Sequence, residues 1–169
     1  MIASARKFFY LLLLLPVMSL AQVGESRQDQ DIERYLSAVQ FSASFKHGIL
    51  TEVKRQGRSN DEIDRILALS DNQLISAVTP IFREHVSPQE AKEIADFYAS
   101  NTGLAITRQQ VANIGNPDPP IRLTAAQHAA YRKFEHSAGG RAISRLAALQ
   151  QTETYWQQVG QAISAAAKE

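Results

Sequence analysis

Ser100 and Ser137 are the residues from which chemistry could start. Each opens a Ser-x-x-Gly step, ending at Gly103 and Gly140. A serine nucleophile needs a base within hydrogen-bond reach and donors for an oxyanion. His136 adjoins Ser137, but no histidine stands near Ser100 in sequence. Helix capping accounts for both, because a serine just before a helix accepts from the backbone N–H three positions on. Catalysis accounts for at most one of them. Both are therefore assigned as caps, and no residue is assigned as catalytic.

The other candidate chemistries meet similar limits. Glu90, Glu93 and Asp96 lie along one helical stretch near Lys92. Paired carboxylates can serve acid–base catalysis or glycoside hydrolysis. The same spacing also describes a solvated helix face, and that is the reading taken. Asp61, Glu62 and Asp64 cluster at a helix start, where negative charge complements the helix dipole. His47, His85, His128 and His136 form no i, i+4 pair, so neither a metal nor a cofactor is assigned. Gly139-Gly140 is an isolated pair and not a phosphate loop. Lys54, Arg55 and Arg58 suit the C-terminal end of a helix. Arg132, Lys133, Arg141 and Arg145 form a second basic group, a candidate surface for an anionic partner such as a phosphate or an acidic protein. Trp156 falls on an apolar stripe and reads as a core anchor.

The elements that must position these residues are helices. Ile32, Tyr35, Leu36, Val39 and Ala43 fall at helical spacing, as do Phe41, Phe45, Ile49 and Val53. These overlapping stripes predict one long helix ending near Gly57. Capping boxes mark further starts at Ser59 with Glu62, Ser70 with Gln73, Ser87 with Glu90 and Thr124 with Gln127. Pro88 suits the first helical position. Pro80 is expected to kink its helix or end it early. Gly115, Pro117, Pro119 and Pro120 mark a linker over Gly115 to Arg122. A last helix is expected to carry Ile143, Leu146, Leu149, Trp156, Val159 and Ile163. No strand alternation is evident.

One motif occurs twice. Phe97, Ser100, Gly103, Ala105, Ile106 and Arg108 recur 37 positions later as Phe134, Ser137, Gly140, Ala142, Ile143 and Arg145. A constant offset over so many positions predicts a repeated structural unit. Each copy reads as helix, sharp corner, helix. The glycine at the third helical position allows another backbone to come close.

The stretch Val86 to Arg108, VSPQEAKEIADFYASNTGLAITR, resembles the domain of unknown function 2059 family, small exported bacterial helical proteins. The shared pattern is an acidic helix, a Phe-Tyr pair, a Ser-x-x-Gly corner and an amphipathic helix. The preceding IDRILALS and AVTPIFREHV are also similar. The family commonly has proline after the corner serine, where this chain has Asn101 and Ala138, so the helix start is less rigidly set. The resemblance implies a secreted helical bundle and supplies no catalytic residue.

Arg6 and Lys7, the apolar run Phe8 to Met18, and Ser19-Leu20-Ala21 read as a signal peptide over 1–21, cleaved after Ala21. The run is shorter than the ~20 residues a membrane-crossing helix needs. Cleavage of 21 residues from 169 leaves 148, enough for one domain with a core. It also leaves 16 basic and 17 acidic residues, a net charge of −1, which gives no electrostatic drive toward nucleic acid. With no cysteine, the exported chain must be held by packing alone. The expected organisation is a flexible leader over 22–30 and one helical domain over 31–169, with repeat units about 87–114 and 124–150. The expected fold is all-α: a helical bundle of about seven helices with two repeated helix-corner-helix units. The expected function is that of an exported, periplasmic or secreted, non-catalytic binding or accessory protein with another envelope protein as partner. The alternative is a small inhibitor or immunity-type protein for a secreted or periplasmic enzyme.

Overall fold

The computed structural model describes residues 26–56, 60–113 and 120–168, with side chains of 55 and 56 excepted; the signal segment lies outside these residues. The chain is all-α. Among the described residues there are nine helices and no strand. They are α1 (26–38), α2 (Phe41–Gln56), α3 (Asp61–Ala68), α4 (Asp71–Arg83), α5 (Pro88–Ala99), α6 (Asn101–Ala112), α7 (Ala125–Glu135), α8 (Ala138–Leu149) and α9 (Glu153–Ala166).

Nine helices replace about seven because two predicted helices are each divided. The predicted long first helix breaks at Gln40, whose φ of 53° lies in the left-handed region. Such a residue costs roughly 1–2 kcal/mol and ends right-handed helix geometry. The two apolar stripes read from the sequence therefore belong to two helices. The predicted last helix divides at Gln150–Thr152. There Thr152 becomes the N-cap of α9, accepting from the Tyr155 N–H at 3.3 Å. The predicted leader also changes. Residues 26–30 already belong to α1, because Gln28 is buried and donates its amide to the Val86 carbonyl at 2.6 Å.

The predicted boxes at Ser70, Ser87 and Thr124 all form. Each hydroxyl accepts from the backbone N–H three positions on, and each acid or amide accepts from the cap's own N–H. The cap of α3 is instead Asn60, which accepts from the Ile63 N–H at 2.9 Å; Ser59 lies outside the described residues. Pro80 does not end α4, which runs on to Arg83. Pro80 is exposed, so its missing N–H and its ring fall on the solvent side, where the orphaned carbonyl of the preceding turn can be hydrated.

Among α2 to α9, the most extensive helix pairings are α5 with α8 and α4 with α9. One continuous core joins Ile32 and Leu36 of α1, Leu74, Val78 and Phe82 of α4, Ile94 of α5, Leu146 of α8, and Val159 and Ile163 of α9. Each of these burials is worth about 1.5–3 kcal/mol relative to exposure, which is what holds a chain without disulfides. No helix of the described residues is long and apolar enough to cross a membrane.

Candidate functional site

The doubled motif builds two corners that face each other. Ser100 caps α6 and Ser137 caps α8, accepting from the Gly103 and Gly140 N–H groups at 3.2 and 3.1 Å. Each glycine therefore sits at the third helical position. A Cβ at Gly103 would meet the Phe97 carbonyl oxygen at 2.3 Å, and one at Gly140 would meet the Phe134 carbonyl oxygen at 2.1 Å. The two helices of each unit cross with backbone against backbone, which only glycine permits.

Phe97 and Phe134, equivalent residues of the two copies, stack on one another with centroids 3.9 Å apart and planes 5° apart. The units thus meet through the same residue. Tyr98 stands edge-on to Phe134 at 6.1 Å, and Tyr35 of α1 lies 5.1 Å from Tyr98. Burial raises the Tyr98 hydroxyl to about 12 and lifts Tyr35 further, so both remain neutral phenols. This stack across the two copies is not visible in the sequence, which shows only that the two phenylalanines are equivalent.

The copies are not equivalent electrostatically. Arg145 of α8 pairs with Glu90 of α5 at 2.9 Å. The corresponding residues the other way round are Arg108 and Gln127, a combination with no acid. Glu93 of α5 accepts from the Gly139 N–H at 2.8 Å, so one helix supplies the anion that caps another. The counterpart of Glu93 is Ala130, and the counterpart of Gly139 is Thr102. A Cβ at Gly139 would lie 2.8 Å from the Glu93 Cβ, so this second glycine lets α5 approach. That asymmetry was legible in the Gly139-Gly140 pair, but its partner was not.

The acids read as a solvated face are thus ties between elements. Burial tends to raise Glu90, but the Ser87 backbone N–H and Arg145 outweigh it and leave its carboxyl below the ordinary 4.5. Glu93 is also lowered, first by the Gly139 N–H and then by the Gln89 amide. Asp96 is lowered chiefly by Lys92, with help from Arg34 of α1 at 2.6 Å. A carboxyl lowered by folding contributes stability above its unfolded value and loses it as pH falls through the folded value. Thermal stability is therefore expected to be level down to about pH 5 and to fall through and below pH 4.5. Glu93→Gln is expected to flatten part of that fall in melts taken across the range. An unchanged slope would remove Glu93 from the clamp.

The serine hydroxyls are committed. Ser100 also donates to the Phe97 carbonyl at 2.6 Å. Ser137→Ala is expected to cost about 1 kcal/mol, the usual value of an N-cap, in denaturant melts. Of the predicted basic group, Arg145 faces α5, and Arg141 donates to the His136 carbonyl at 2.8 Å. Arg132 and Lys133 are exposed on α7 and have no ion-pair partner among the described residues. The four residues therefore do not act as one cluster. No group of three or more His, Asp or Glu residues placed to hold a metal occurs among the described residues.

Fold and site together define an all-α protein organised around a doubled helical corner. Residues 72–114, which cover α4 to α6 and the first corner, match the model of the family described as "Uncharacterized protein conserved in bacteria (DUF2059)", the family that the motif resembles. Over 102 residues the chain is 30% identical to a protein of Haloarcula marismortui named DNA mismatch repair protein MutS 2. That alignment takes 60% of this chain and spans 10% of the length of that protein. No solved structure matches significantly.

Proposed function

We propose that this is an exported, non-catalytic binding or accessory protein of the bacterial envelope, periplasmic where an outer membrane is present. The observation that carries the proposal is the fate of the corner's polar groups. Ser100 and Ser137 are helix caps, and Glu90, Glu93 and Asp96 hold helices together. The motif is then a scaffold, and recognition falls to the surface it positions. Arg132 and Lys133 on the exposed side of α7 offer that surface to an acidic envelope protein. The near-neutral charge after cleavage favours such a local contact over nucleic acid.

The test uses the processed chain, residues 22–169, as bait on its own envelope fraction, beside an Arg132→Glu, Lys133→Glu double variant. One stoichiometric acidic protein retained by the wild type and lost by the variant supports the proposal. If that protein is a toxic hydrolase whose activity falls on binding, the inhibitor function takes its place. Equal retention by both baits, or none by either, removes the α7 surface. Cell fractionation and N-terminal sequencing test export directly: a mature chain that still begins at Met1 in the cytoplasm overturns it.

A further inference from the structure

The 37-residue offset carries α5 onto α7 and α6 onto α8. The pairing of α5 with α8 therefore corresponds to that of α7 with α6. In the first pairing, α5 supplies two carboxylates to α8. Glu93 takes the Gly139 N–H in the first turn, and Glu90 takes Arg145 further along. In the second, α7 has Ala130 and Gln127 at those places, and neither carries a charge.

The receiving groups on α6 are nevertheless kept. Thr102 corresponds to Gly139 and is only 7% exposed. Neither its N–H nor its hydroxyl has a hydrogen-bond partner among the described residues. Buried donors left in this way are costly, and in native structures they mark places where a further group binds. Arg108 corresponds to Arg145. It is exposed and has no ion-pair partner among the described residues. α6 and α7 also pair much less extensively than α5 and α8, and Ala130 is exposed instead of sealed against α6.

The charges favour an anion at this place. Residues 101–134 carry Arg108, Arg122, Arg132 and Lys133 against Asp118 alone, whereas α5 carries Glu90, Glu93 and Asp96 against Lys92. The positive end of the α6 dipole adds to this. In the other copy the same positions hold glutamates three residues apart, close to one helical turn. Thr102 and Arg108 are six positions apart, about 9 Å along the helix axis at 1.5 Å per residue. Two carboxylates span that distance better than one phosphate. On the basis of the acidic envelope partner proposed above, we infer that the first turn of α6 and Arg108 receive two of its carboxylates, spaced as Glu90 and Glu93 are in α5.

The test is a titration of the ¹⁵N-labelled processed protein, residues 22–169, followed by amide chemical shifts. The probe is a capped peptide, Ala-Glu-Ala-Ala-Glu-Ala, compared at one ionic strength with its glutamine counterpart and with inorganic phosphate. The glutamate peptide is expected to move the amides of residues 101–103 and 108 saturably, and the glutamine peptide to leave them in place. Arg108→Gln is expected to weaken binding about tenfold, as the loss of a hydrogen bond to a charged group does. Gln127→Glu with Ala130→Glu supplies the carboxylates from within the chain, as in the other copy. That variant is expected to abolish peptide binding and to raise the thermal midpoint. Arg132→Glu with Lys133→Glu is expected to keep the Thr102 shift, so that failure of the α7 surface and failure of this site are read separately. No saturable shift, equal shifts with the glutamine peptide, or tighter binding of phosphate overturns the proposal. So does wild-type binding by the Gln127→Glu, Ala130→Glu variant, or loss of the Thr102 shift in the Arg132→Glu, Lys133→Glu variant.

Discussion

Gly140→Ala is expected to lower stability by about 3 kcal/mol, the upper part of the range for overpacking a tight contact. The added Cβ would lie 2.1 Å from the Phe134 carbonyl oxygen, 2.7 Å from the Glu135 Cα and 2.8 Å from the Glu135 carbonyl oxygen. All three are backbone atoms, so no side chain can turn aside. The end of α7 must move away from α8, and the Phe134 ring moves with it. Gly103→Ala is expected to behave similarly, since its Cβ would lie 2.3 Å from the Phe97 carbonyl oxygen and 2.5 Å from the Tyr98 Cα. Thermal melts followed by circular dichroism should show a midpoint about 10 °C lower, from the usual entropy of unfolding for a chain of this size. Gly160 is the control. It lies inside α9 with no atom within 4 Å of an added Cβ, so Gly160→Ala should stabilise by about 0.5–1 kcal/mol through helix propensity alone. If Gly140→Ala melted like the Gly160 variant, the close crossing of α7 and α8 would be wrong.

Phe134→Ala is expected to cost about 3–5 kcal/mol, the range for deleting a buried phenylalanine. Phe134 is 8% exposed and reaches two rings of the other unit: Phe97 at 3.9 Å and Tyr98 at 6.1 Å. Phe97→Ala should cost less, because Phe97 is only half-buried. The double variant separates the ring contact from the burial of each ring. A coupling of about 0.5–1.5 kcal/mol is expected for a stacked aromatic pair. Guanidinium unfolding of the wild type, both single variants and the double variant supplies the cycle. Strict additivity would mean that the two units do not meet through their equivalent phenylalanines.

Features that depend on a few neighbouring residues are legible in the order of the residues alone. A capping box is a pair of hydrogen bonds between positions three apart, so Ser70, Ser87 and Thr124 could be read without knowing what lies beyond them. The Ser-x-x-Gly corners and their 37-residue spacing were legible for the same reason, and with them the all-α class. The helix count fell short where continuity was assumed. A stripe counted unbroken from Ile143 puts Trp156 in the core. The break at Gln150–Thr152 resets the helical phase, so Tyr155 is 3% exposed and Trp156 49%, with its indole N–H donated to the Gln150 carbonyl at 2.8 Å.

Which distant groups meet depends on how the helices pack. Glu93 reads as one more acid on a helix face until Gly139, 46 positions away, is brought to 2.8 Å. Arg145 reads as a free cation until Glu90 reaches it. The left-handed turn at Gln40 has no local signal, because neither glycine nor asparagine stands there. It lies where α1, with Ile32 and Leu36 in the core, gives way to α2, which packs on α4 through Phe41 and Phe45. Periodicity records how much of a helix is apolar and on which side. It carries no information about the partner that side will find, and in this chain the partners made the two repeated units unequal.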